Sequence, residues 1–132
     1  MIESTAAVAQ QYVDAMGSGE PAQLAALFAD DLVWHQPGAN QFSGDKRGGA
    51  AVGEMVGAMM AFSNGTFALA ASGAPMINGD MAAVPIRFSG KRDGAEMAMD
   101  GIDLLRVVDG KVAEVWLFSA DQTAEDAFWG QG

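Results

Sequence analysis

The run from Ala95 to Val107 limits the possible folds of this chain more than any other segment. Its odd positions are Ala95, Met97, Met99, Gly101, Asp103, Leu105 and Val107; its even positions are Glu96, Ala98, Asp100, Ile102, Leu104 and Arg106. Strand side chains alternate between faces, so the odd set forms an apolar face broken by one carboxylate, Asp103. Arg92-Asp93-Gly94 before the run and Asp109-Gly110 after it are turn signals. They place the run between strands at Met81–Ser89 and Lys111–Ser119, as the middle of an antiparallel meander. Thr66–Ala71 reads as another strand and Asn78-Gly79-Asp80 as a turn. Pro85 cannot donate to a ladder, so its nitrogen must face a bulge or an unpaired edge.

The first half reads as helices. Ser4 or Thr5 caps a helix to about Met16, with Val8, Tyr12, Val13 and Met16 on one face, and Gly17-Ser18-Gly19 stops it. Pro21 opens a second helix carrying Leu24, Leu27 and Phe28, which Asp30-Asp31 ends. Leu32–Gln36 is a short strand closed by Pro37-Gly38, and Ala39–Gly48 is a polar loop. A third helix spans Gly49 to Phe62, and Asp121–Trp129 is a closing amphipathic helix. With 132 residues, one domain is expected. The fold class is α+β, with three N-terminal helices packed on one face of a mostly antiparallel sheet. Ile102 and Leu104 on the even face of the long strand, and Trp116 and Phe118 beyond it, leave the other sheet face apolar too. A second subunit is expected to cover it, giving a homodimer through the outer sheet face.

Asp103 supports two readings. A carboxyl in an apolar environment has its charged form disfavoured, which suits a protonated acid or a general acid/base. Alternatively it is structural, either ion-paired with Arg87 or Arg106 or held by hydrogen bonds. His35 is the only histidine. Strand parity puts it on the face opposite Trp34 and Gln36, unless a bulge near Pro37 re-aims it. Tyr12 lies on the apolar stripe of the first helix and needs an acceptor for its hydroxyl, for which Asp103 is a candidate. The methionines of the third helix, including Met55 and Met59, and Met97 and Met99 of the long strand supply soft surface for an adaptable cavity.

Composition excludes several functions. A net charge of -10 lacks the cationic footprint that nucleic acids and anionic membranes require. No apolar run reaches the ~18 residues of a membrane span. The start, Met1-Ile2-Glu3-Ser4-Thr5, lacks the basic-then-apolar layout of a leader, so a cytoplasmic protein is expected. There are no cysteines for thiol chemistry or zinc, and no phosphate-binding loop or nucleophile elbow. No cofactor is expected.

Three stretches carry a family likeness: Leu27–Gly38, Phe42-Ser43-Gly44, and Asp103–Val107 continued through Asp109–Trp116. On these, the chain resembles the SnoaL-like and ketosteroid-isomerase-like branch of the nuclear transport factor 2-like superfamily. The resemblance implies a cone-shaped α+β barrel, an apolar pocket between helices and sheet, and dimers through the outer sheet face. It also implies an isomerase- or cyclase-type enzyme that moves a proton on an apolar, carbonyl-bearing molecule. A non-catalytic binder of a small apolar metabolite, or a protein-recruiting scaffold, are the alternatives. Tyr12 and Asp103 match the pair that stabilises a dienolate oxygen in isomerases of this branch. The position of their general base is occupied by Gln36, and the working aspartate of related cyclases by Leu117. The Arg-x-Asp pair of related epoxide hydrolases is matched only by Arg87-Phe88-Ser89. The catalytic set is therefore expected to be Asp103, Tyr12 and an inward His35, in a pocket lined by Trp34, Gln36, Met55, Met59, Arg87, Met99 and Leu117.

Overall fold

A computed structural model describes residues 4–131. Met1, Ile2 and Glu3, read above for a leader, lie outside them. Helix α1 (Thr5–Ser18) begins where expected: the Ser4 hydroxyl accepts from the Ala7 amide at 3.1 Å. It ends at Gly19, whose φ of 72° is a left-handed conformation that a Cβ would disfavour. Val8, Ala9, Tyr12 and Ala15 form its buried face.

The second helix is shorter than its apolar spacing suggests. Helix α2 (Pro21–Ala25) stops before Leu27 and Phe28, and strand β1 (Phe28–Gln36) starts at once. Pairing decides this. Phe28 lies beside Val112, whose amide donates to the Leu27 carbonyl at 2.8 Å, and the Phe28 ring meets Trp34 edge-on at 6.2 Å. These long-range contacts override local helical spacing. Part of the expected polar loop is strand β2 (Gly44–Arg47), antiparallel to β1. Its charged residues suit the edge position that it occupies.

Helix α3 (Gly49–Phe62) is followed by β3 (Ala68–Ala71), a short β4 (Met76–Asn78), β5 (Met81–Arg92), β6 (Ala95–Val108), β7 (Lys111–Ser119) and helix α4 (Gln122–Trp129). The strands form one seven-stranded sheet in the order β2-β1-β7-β6-β5-β3, with β4 also on β5. Among the described residues only β1 and β7 run parallel. β4 was not foreseen. It explains Pro85, which sits where β5 passes from β3 to β4. The Pro85 carbonyl accepts from Ser72 at 2.9 Å, so its nitrogen faces that same gap and removes no ladder bond.

The helices cover one sheet face, as expected of this α+β class. At Gly101 of β6, an added Cβ would lie 2.5 Å from the Phe118 carbonyl and 3.1 Å from the Phe88 ring, so the strands meet there with no room for a side chain. At one end of the interior, Trp129 packs against Phe42, Phe67 and Phe128 with ring centroids 4.9–5.4 Å apart. Arg92 seals this cluster, donating to the Phe128 carbonyl at 2.7 Å with its guanidinium 5.2 Å from the Phe62 ring centre. Among the described residues no helix is long and apolar enough to cross a membrane.

Candidate functional site

Strand β6 delivers Asp103 to the helix-covered face and α1 delivers Tyr12 to meet it. Both are fully buried. The Tyr12 hydroxyl donates to Asp103 Oδ2 at 2.7 Å. Asp103 Oδ1 has no hydrogen-bond partner and is the one such fully buried side-chain polar atom among the described residues. Burial raises the Asp103 pKa from 3.8 to about 6, although the Tyr12 hydrogen bond pulls the other way. Burial, followed by the neighbouring Asp103 charge, holds the Tyr12 phenol well above its ordinary 10.0, so it remains a proton donor.

Neither arginine reaches Asp103, which removes the ion-pair reading. Arg87 points to the outer face, where it contacts Asp100 at 3.3 Å, and Arg106 contacts Glu114 at 3.2 Å. Arg87 is therefore not a wall of the interior, against expectation. Its neighbours Ile86 and Phe88 hold the inward positions.

His35 is not brought to Tyr12 and Asp103. No bulge re-aims it: Trp34 and Gln36 point inward and His35 outward, stacked on Trp116 at 5.5 Å. Its Nδ1 lies 2.7 Å from Asp45 and its Nε2 2.6 Å from Glu114. The Glu114 hydrogen bond, with help from Asp45, raises the His35 pKa, and the same contact lowers that of Glu114. The expected inward His35 is thus replaced by a charged clamp joining β2, β1 and β7 on the other face. Reading Asp45 as loop hid one of its partners.

Cross-strand register places the inward residues in a row. Asp103 is opposite Val84 on one side and Leu117 on the other. The β1–β7 register runs Trp34 opposite Val115 and His35 opposite Trp116; continued by one residue it would bring Gln36 towards Leu117. Gln36 Oε1 accepts from the Trp34 indole at 2.9 Å. Residues i and i+2 of a strand share a face, which is how Trp34 and Gln36 come to meet. Met55, Met59 and Met99 are buried in the same core, and Leu117 is partly buried against it.

A concavity of about 600 Å³ opens elsewhere, near the β6–β7 turn, lined in part by Phe28, Asp30, Arg106, Val108 and Lys111. Another carboxylate escaped notice. Glu125 of α4 is buried and accepts from Ser119 at 2.6 Å, Gln122 at 3.1 Å and the Trp129 indole at 3.1 Å. These contacts tie α4 to the end of β7. Among the described residues no three His, Asp or Glu groups converge to hold a metal ion.

The SnoaL-like domain family model matches residues 9–115. A crystal structure of a protein of unknown function with a cystatin-like fold from Xanthomonas campestris is 49% identical, with 98% of this chain and 100% of that one covered and a TM-score of 0.89. An NTF2-like protein from Burkholderia xenovorans is 20% identical over 98% of both chains, with a TM-score of 0.73. A protein with a ketosteroid isomerase-like fold from Catenulispora acidiphila, in complex with trimethylamine, is 16% identical over 93% of both chains, with a TM-score of 0.69. No curated protein matches the chain.

Proposed function

This chain belongs to the SnoaL-like domain family, and on that premise we propose that it binds a small, apolar, carbonyl-bearing molecule and transfers a proton next to the carbonyl. The observation that carries this reading is Asp103: a fully buried carboxyl with one oxygen committed to Tyr12 and the other unpartnered. A buried polar atom without a partner costs roughly 1–3 kcal/mol. A ligand that supplied the missing contact would recover that cost. With a pKa of about 6, both protonation states of Asp103 are accessible near neutral pH, as general acid–base work requires. In the step proposed, Oδ1 takes a proton from the α-carbon, the C–H pair becomes the enolate, and the proton returns to carbon from the same oxygen. The Tyr12 hydrogen is committed to Oδ2, so Tyr12 positions Asp103 and does not itself touch the substrate. Asp103 is fully buried, so binding requires core side chains to move, and the methionines of that core are flexible enough to do so.

The test is deuterium wash-in at the α-carbon of 1-tetralone in heavy water, followed by NMR. The native protein should exceed buffer, and Asp103→Asn should lose about 10²-fold or more of that excess. An undiminished rate in Asp103→Asn would remove Asp103 from the chemistry. A second reading, binding without chemistry, rests on Gln36, which occupies the position that the family resemblance assigns to a general base and cannot take a proton at neutral pH. Tight binding of the ketone without exchange would establish it.

We also infer a homodimer through the outer sheet face. Phe118 is 55% exposed there. Ile102 is its partner in register, and Leu104 and Trp116 form the next such pair, making a continuous apolar band.

A further inference from the structure

We propose that Gln36 is the second polar anchor of the interior site, its amide N–H donating to the carbonyl oxygen of a ligand whose α-carbon faces Asp103. This rests on the proton-transfer reading above and names the group that would polarise the substrate.

The orientation of the Gln36 amide is fixed by chemistry. The Trp34 indole nitrogen can only donate, so the Gln36 atom 2.9 Å from it must be the oxygen. The nitrogen is thereby turned the other way, and it has no hydrogen-bond partner among the described residues. Gln36 is only 8% exposed, so this is a nearly buried donor without an acceptor. Unlike Asp103 Oδ1, its nitrogen retains some solvent access, which places Gln36 at the wetter end of the row. Asp103 Oδ1 and the Gln36 amide are thus two unsatisfied polar groups on one sheet face.

Their separation suits one carbonyl unit. Leu117 pairs with Asp103, and continuing the β1–β7 register one residue beyond His35–Trp116 puts Gln36 on its other side. Two strand spacings put the Cα atoms of Gln36 and Asp103 roughly 9.5 Å apart. A carbonyl oxygen about 2.9 Å from an amide nitrogen, with the adjacent carbon about 3.3 Å from a carboxyl oxygen, spans a gap of that order once the side chains lean inward. A ligand lying across Leu117 would present apolar surface to it, oxygen to Gln36 and an acidic C–H to Asp103. As the C–H pair becomes an enolate, the developing charge falls on the oxygen held by Gln36. A donor aimed at developing charge is the arrangement that stabilises such a step. The substrate class is accordingly a ketone, ester or thioester with an α-hydrogen; a hydrocarbon of the same shape lacks the contact.

The probes are 1-tetralone and its hydrocarbon analogue tetralin, with binding read by Trp fluorescence and exchange by deuterium wash-in. The native protein should bind the ketone about five- to tenfold more tightly than tetralin, the effect of one neutral hydrogen bond. Gln36→Glu keeps an acceptor for Trp34 but removes the donor, and Gln36→Met removes both. Each should abolish the ketone preference while still binding tetralin, and Asp103→Asn should retain the preference while losing exchange. A preference that survives both Gln36 variants would overturn the role of Gln36 and leave the Asp103 reading intact. A preference that depends on Gln36, with no exchange that depends on Asp103, would uphold the donor and overturn the proton transfer. Failure of the native protein to bind either probe would overturn both.

Discussion

Replacing Asp103 by Asn should strip the protein of one component of its pH-dependent stability, by an amount that the buried carboxyl sets. The group rises from 3.8 when solvated to about 6 when folded. That gap of about 2.2, at ~1.36 kcal/mol per pKa unit, corresponds to about 3 kcal/mol. The sign follows from proton binding. Below pH 3.8 the carboxyl is protonated in both states and burial carries no charge penalty. Between 3.8 and about 6 the folded state holds the proton more tightly, so stability falls as pH rises. Above that the full penalty applies. An Asn at this position still accepts from Tyr12 through its oxygen and has no proton to lose. Guanidinium unfolding of both proteins at several pH values from about 3.5 to 7.5 reads the difference, in which His35 and Glu114 cancel because both proteins carry them. The variant should gain about 3 kcal/mol on the native protein across that range. Parallel stability curves would show that Asp103 is not desolvated as described.

Glu114→Gln should lower the His35 pKa towards its ordinary 6.5, measured by NMR of the ring protons, because the Glu114 hydrogen bond is the largest influence raising it. The clamp's contribution to stability should accordingly be present below 6.5 and fade as pH rises through the elevated folded value; a His35 pKa unmoved by Glu114→Gln would refute this. Phe118→Arg should turn the inferred homodimer into a folded monomer by light scattering with an unchanged circular dichroism spectrum, since it places charge in the apolar band. A native protein that is already monomeric would refute the inferred interface.

What the sequence made legible follows physical scale. The β6 pattern placed Asp103 on the helix-covered face because alternation over a long strand is a strong signal, and the pair with Tyr12 followed once both sat on apolar stripes. Asp109-Gly110 fixed the β6–β7 hairpin for the same local reason, with Asp109 at φ 51° and Gly110 at φ 77° in the turn. The errors arose where partners distant in sequence decide. Leu27 and Phe28 have helical spacing, but Val112 takes the Leu27 carbonyl and pairs with Phe28, which opens β1. Gly44–Arg47 has no apolar periodicity, and only His35 and its neighbours across the ladder make it one. The pocket was hardest to read, because flexible methionines can line a cavity or fill it with the same sequence.

The parallel pairing of β1 with β7 governs how this molecule is assembled over time. His35 and Glu114 are 79 residues apart and Tyr12 and Asp103 are 91. The hairpins on either side can zip locally, but these contacts wait for a long loop to close, whose entropic cost precedes its reward. The phenol–carboxyl pair should therefore form late, so that its signal in a refolding experiment should report arrival at the native state rather than progress towards it.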